Sequence, residues 1–522
     1  MTHLQQLPVP WAAWLRRVLA MSLVLATLLY GLAAIDAGIV NFRGAGNAEV
    51  AAKRIAMQGA AEEGRSAGGF AEITGHSSAL IGILSKTTSP QYAYGKDGLS
   101  EPLIHYATMP KVNGITLSLH SMLGGTCMLF GALQFWPAFR RRYPKWHRAF
   151  GGVYLVSAQV AMVFSMVYLA RTPIADIYDQ LTFYVGLWGL AIMVTVSLWM
   201  SIYSLWRKQI AQHQAWMCLN YGLLLTAPVQ RYGWVAFGAV APHLRQLEAN
   251  YAVSGVLIQL TLMMGYGLFT VNRWLQPVRS ASATEKVAMA FKPHSRLGRW
   301  VAIGGLLVLA AASISTLQHF VLAPGMGQAT GASTLIPAGV IAMHDAVVAD
   351  QAPARLLFAA ATLLGCLLGI VFLWTGFVKQ QVPGALPKIG LWILAACGVV
   401  VGMLLLHWGL QMGMPSFAKL AGGAMNLFGG GIALLFSLLL AFALARGHHA
   451  WAKEWAIFVL ICLVATPSFY WQLPMLGGFG FDARFVQTGH VFRMAEAGGW
   501  FLLMAGFVYA IYSQATHGRQ AR

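Results

Sequence analysis

Two histidines, His147 and His213, have the residue type and placement to do chemistry in this 522-residue chain. His147 lies in Arg140-Arg141-Arg142-Tyr143-Pro144-Lys145-Trp146-His147-Arg148, and His213 ends Arg207-Lys208-Gln209-Ile210-Ala211-Gln212-His213. Each stands just ahead of a long apolar run. If both runs are helices crossing a membrane in the same direction, the two imidazoles sit at one depth near one surface. In an up-and-down four-helix arrangement their helices are diagonal partners across the core. That is the geometry for bis-histidine ligation of a single b-type haem. Helix N-termini disfavour imidazolium, so both rings tend to stay neutral, as iron ligands must. Arg142 and Arg148 would then meet haem propionates at the surface. Gly151 and Gly152, one turn deeper, would admit a flat macrocycle. The competing reading is interfacial, because a histidine beside arginine at a helix start commonly contacts lipid phosphate.

Two further residues are candidates. His120 lies at the far end of another apolar run, without an evident histidine partner, and packing or hydrogen bonding is its expected role. Arg231 follows Pro228 about 27 Å along the helix from His213, at 1.5 Å per residue. It is placed to hold an anion or a quinone headgroup, or to anchor at the interface with Tyr232 and Trp234. The glycine run Gly429-Gly430-Gly431 falls inside an apolar stretch, where close helix packing explains it better than phosphate binding. All 16 Asp and Glu residues lie in links or at span edges, Asp36 and Glu496 coming closest to the apolar layer. The expectation is therefore that no carboxyl is available near mid-membrane to couple transport to an ion. The five cysteines all fall in apolar runs without CxxC spacing, which marks them as small buried hydrophobes.

The elements that position these residues are long apolar runs. Hydrophobic residues make up 58% of the chain and charged residues only 10%, which excludes an ordinary soluble domain. About twelve runs are long enough to cross a bilayer as helices. They are expected near 14–35, 116–137, 149–170, 182–205, 215–238, 251–272, 300–320, 356–378, 389–410, 424–445, 454–473 and 495–514. With residue 1 placed inside, the inside links and termini hold 21 of the 35 Lys and Arg and only Glu285 and Glu454 of the acids. The whole formal charge of +19 then lies on one side, as the positive-inside rule requires. These bases are spread over seven links and termini and not gathered on one face with aromatics between them, so nucleic acid is not an expected partner.

The reading is an all-α, polytopic transmembrane helical bundle of about twelve spans in two six-helix halves. Residues 1–272 form the first half, with an extracytoplasmic loop at 36–115. Residues 273–299 are a cytoplasmic linker, and 300–522 form the second half. A faint repeat supports the division: His213-Gln214-Ala215-Trp216 is echoed by His448-His449-Ala450-Trp451, and Thr226-Ala227-Pro228 by Ala465-Thr466-Pro467.

Four elements in order resemble a bacterial membrane-protein family catalogued only as a predicted membrane domain of unknown function. They are Leu119-His120-Ser121 with Leu133-Gln134-Phe135, the stretch Arg141–Arg148 followed by Gly152-Val153-Tyr154, then His213-Gln214-Ala215-Trp216-Met217, and Arg231. The resemblance covers about residues 115–240. It implies a multi-pass protein of the bacterial inner membrane and supplies no activity. The chain departs from the family's HRRWM-like element by carrying Gln214 and Ala215 after His213. A looser similarity, in paired histidines of a four-helix core, is to two-haem membrane cytochromes b.

The expectation is electron transfer through one haem b held by His147 and His213, with Arg142 and Arg148 at the propionates. Membrane lipids and a quinone or redox partner are the partners, and both termini are cytoplasmic. The alternative is a non-redox transporter, or a membrane protein that senses a small molecule or lipid without a cofactor.

Overall fold

The computed structural model describes residues 10–63, 88–98, 108–275, 296–375 and 388–517. Most of the expected linker, and parts of the first long loop, lie outside the described residues. Among the described residues there is no strand, and eleven helices are long and apolar enough to cross a membrane. The all-α polytopic bundle is therefore the architecture. The described residues form two compact units.

The first unit comprises Met1–Arg207, His213–Asn250 and Gly267–Leu275. It begins with α1 (Pro10–Gly44) and the polar α2 (Ala48–Glu62). There follow α3 (Lys111–Gln134), the short α4 (Pro137–Arg142), α5 (Pro144–Arg171) and α6 (Gln180–Trp206). The α1–α3 seam is built on small residues. A Cβ on Gly125 would lie 2.5 Å from the Gly31 carbonyl oxygen, and Ser121 Oγ donates to the Ala34 carbonyl at 2.9 Å. Such seams let dispersion and hydrogen bonds hold helices together where lipid offers no hydrophobic gain.

The fifth span differs from expectation. Two helices replace one, α7 (Ile210–Leu224) and α8 (Thr226–Val240), which meet at Leu225. Pro228 lacks the N–H that would bond the Leu224 carbonyl, and the Leu225 N–H is shared between the Tyr221 and Gly222 carbonyls. The described parts of the first long loop fold onto this unit: Tyr92 donates to the Trp234 carbonyl at 2.6 Å, and Arg245 pairs with Asp97 at 3.2 Å.

The second unit comprises Lys208–Gln212, Tyr251–Tyr266 and Gln276–Arg522, so it takes the middle of α9 (Gln246–Leu275). Its spans are α10 (Arg296–Leu317), α12 (Ala352–Leu373), α13 (Lys388–Met412), α14 (Ala424–Ala445) and α15 (His449–Gly477). The link between α10 and α12 contains a helix, α11 (Ala338–His344). The last span is jointed at Gly498, between α16 (His490–Ala497) and α17 (Gly499–His517). Of the glycine run, Gly430 is the packing residue, since a Cβ there would meet the Gly402 carbonyl oxygen of α13 at 2.7 Å.

One acid at a span edge is buried, which its depth along the helix does not indicate. Glu454, a residue of the span edge by sequence, is fully buried inside α15. It accepts a hydrogen bond from Tyr266 Oη at 2.6 Å, and Trp455 Nε1 donates to the same Tyr266 oxygen at 3.0 Å. A buried carboxylate survives only with such donors, because an unpaired one would cost several kcal/mol. All five cysteines are buried.

Candidate functional sites: an imidazole pair and an apolar cavity

In the first unit, α5 and α7 start at the same end and bring His147 and His213 within electrostatic reach of each other. Both helices are pinned one to two turns deeper. Tyr154 donates to Asn220 Oδ1 at 2.7 Å, and Asn220 Nδ2 donates to the Val194 carbonyl of α6 at 2.8 Å and to Ser197 Oγ at 3.0 Å. Tyr154 and Asn220 are wholly buried, so this cross-link ties α6 to the two helices that carry the pair.

His213 Nδ1 lies 2.9 Å from Ser201 Oγ and 3.1 Å from the Ser201 carbonyl oxygen. With the proton on Nδ1 donated to that carbonyl, Nε2 keeps its lone pair, as in metal-ligating histidines generally. Among the described residues the buried Nδ1 of His147 has no hydrogen-bond partner. Arg140 is within electrostatic reach of both rings. Burial lowers the pKa of its guanidinium from the usual arginine value. Arg142 instead folds over the Tyr143 ring at 5.6 Å, and Arg148 is exposed. Sequence reasoning passes over Arg140 because three consecutive arginines look alike until the helix of α4 separates their directions.

A haem needs a slot as well as two axial nitrogens. The Ser201 contact suits His213 to an axial position, but the two glycines do not supply the slot. A Cβ on Gly151 would meet Gln134 Oε1 at 3.2 Å, and one on Gly152 meets nothing within 4 Å and would project from an exposed position. Gln134 fills the space expected to admit the macrocycle.

At the other end of the unit, His120 and Arg231 come together. His120 Nδ1 lies 2.9 Å from the Ala161 carbonyl of α5, and the ring is within electrostatic reach of Arg231. Arg231 donates to Gln230 Oε1 at 2.7 Å, and Gln230 donates to Asn250 Oδ1 at 3.2 Å. Asn250 in turn donates to the buried Asp179 carboxylate at 2.7 Å. The arginine also lies 5.1 Å over the Trp234 ring. The exposed arginine is thus tied to a buried polar chain of Gln230, Asn250 and Asp179, a connection invisible to spacing along the sequence.

The second unit holds a cavity of about 130 Å³. Aromatic and thioether side chains form most of its wall, among them Phe320, Trp408, Phe428, Phe469, Met343 and Met425. Gln259, Lys419, Asn426, Thr466 and Glu496 interrupt it with polar groups. Met326, Val340 and His344 from the link over the unit also line it. That link is fastened by Asp345, whose carboxylate accepts from the Met326 N–H at 2.7 Å and lies 3.6 Å from His344 Nδ1. His344 beside it, and the amides of Met326 and Gly327, hold the Asp345 carboxyl below the usual carboxylate range despite partial burial. Around Glu496 the picture differs. Among the described residues no hydrogen bond reaches its carboxyl, and Arg493, one turn earlier, is the base within electrostatic reach. Sequence reasoning misses this cavity because its lining comes from six helices and two links, and no one of them announces it.

Searches among curated proteins and among solved structures gave no match to this chain. Residues 117–265, which carry the imidazole pair, His120 and Arg231, match the sequence model of a family described as a predicted membrane protein (DUF2306).

Proposed function

We propose that this integral membrane protein binds a small, largely apolar molecule in its second unit, as a carrier or sensor, from the bacterial inner membrane with both termini cytoplasmic. The observation that carries this reading is the cavity of about 130 Å³ with convergent polar groups. A cavity of this order accommodates roughly one benzene-sized ring. Its size argues against a porphyrin, a steroid or a whole quinone with its tail as occupant. Concave, mostly apolar sites with a few polar groups are the usual form of small-molecule sites.

The test is occupancy by ethylbenzene, followed by calorimetry or ligand-observed NMR on detergent-purified protein. Gly429 lines the cavity, and a Cβ there would make only an ordinary 3.8 Å contact with Leu405, so a Gly429→Leu side chain should fill the space and abolish binding. Equal binding by wild type and Gly429→Leu would contradict the reading.

A second reading is favoured by the imidazole pair. In it, His147 and His213 hold one b-type haem, with Arg140 at its rim, and when bound the haem would supply one-electron transfer to a quinone or redox partner. Support comes from the His213 Nδ1–Ser201 contact and the nearness of the rings. Space for the ring requires Gln134 to move. Protein from haem-supplemented cells should show a Soret band that His147→Ala or His213→Ala removes, and a colourless preparation would end this reading.

A further inference from the structure

Building on the binding reading of the second-unit cavity, we propose that its occupant is a small organic cation, an ammonium on a body about one ring in size, whose charge is met by Glu496.

The carboxyl of Glu496 faces the cavity without a hydrogen bond among the described residues. An ionised carboxylate in an apolar enclosure is costly unless a partner of opposite charge accompanies it. Arg493 of the same helix is within electrostatic reach, but its guanidinium is shared: it donates to Ser254 Oγ at 2.9 Å and lies 4.3 Å over the Tyr251 ring. Lys419 lies on the lining at an exposed position, its Nζ 3.5 Å from the Met412 carbonyl oxygen, where solvent screens its charge. His344 stands beside Asp345, which balances it. A cation entering the cavity therefore supplies what the carboxylate lacks.

The walls suit the same ligand. Phe320, Trp408, Phe428 and Phe469 present rings whose negative faces attract ammonium groups, with Met343 and Met425 adding polarisable contact. An anionic ligand would instead face Glu496 with like charge. A neutral one would leave the carboxyl unpaired, or force it to take up a proton.

Benzylammonium and ethylbenzene are nearly the same shape and differ in charge, so their affinities separate the charge effect from cavity filling. Wild-type protein should bind benzylammonium about tenfold or more tightly than ethylbenzene, as a charge-assisted hydrogen bond gives. Glu496→Gln should lose that preference and keep ethylbenzene affinity, which also certifies that the variant is folded. Equal affinities of wild type for the two probes, or undiminished benzylammonium binding by Glu496→Gln, would overturn the cation assignment while leaving the cavity reading intact. Binding of neither probe by wild type would overturn both. Should Glu496→Gln fail to fold, the wild-type comparison alone still decides, and Glu496→Asp should retain the preference.

Discussion

At the residue scale, the buried carboxyl of Glu454 bears directly on stability. It is held by Tyr266 Oη at 2.6 Å and Ser513 Oγ at 3.4 Å, while Trp455 donates to the same tyrosine oxygen. Tyr266→Phe removes one donor to the carboxylate and strands the Trp455 N–H in one step. The expected cost is about 1–3 kcal/mol, the usual penalty for leaving buried polar groups unpaired. It should appear as a lower unfolding midpoint in detergent, with Ser513→Ala costing less because its contact is long. An unchanged midpoint for Tyr266→Phe would mean that water replaces the hydroxyl. This site is hidden in the sequence for a definite reason. Position 454 near a span edge reports depth along the helix, whereas burial depends on which way the side chain turns. His147 and His213 are legible because both stand at equivalent places on helices of equal direction. The partners that orient them, Ser201 and Asn220, are not, since hydroxyl and amide residues in apolar runs carry no signal until the neighbouring helix is known.

At the element scale, helix existence is readable from apolar length alone, and the α14 bounds Ala424–Ala445 coincide with the expected span. Breaks are less readable. Pro228 divides a span into α7 and α8, yet α15 runs on through Pro467 and Pro474. The proline signal therefore marks a lost hydrogen bond without fixing whether the helix parts. The link over the cavity is an element with a titratable fastening. Asp345 has its pKa lowered in the folded state, by His344 first and then by the backbone amides. A lowered carboxyl pKa contributes stability above the unfolded value, and that contribution is lost as pH falls through the folded value. The segment 321–355 should therefore become more sensitive to limited proteolysis on acidification below the usual carboxylate range. Asp345→Ala should be cleaved at neutral pH as readily as wild type in acid. A cleavage rate independent of pH in wild type would show that Asp345 does not secure the link.

At the scale of the whole molecule, charge and hydropathy carry the fold class, because a bilayer permits only internally hydrogen-bonded helices or closed barrels. Twelve apolar runs with bases gathered at alternate links leave little choice beyond a polytopic helical bundle. Function is less legible because the second-unit cavity draws its wall from helices far apart in sequence, and no local pattern announces where Trp408, Phe428, Phe469 and Glu496 will converge. The most direct measurement is the position of a heavy-atom ligand. Crystals of the intact protein soaked in para-bromobenzylamine should give an anomalous bromine peak enclosed by Trp408, Phe428 and Phe469, with the amine toward Glu496, and the peak should vanish in Gly429→Leu. Bromine density only at lipid-facing surfaces, or a peak unaffected by Gly429→Leu, would contradict the account.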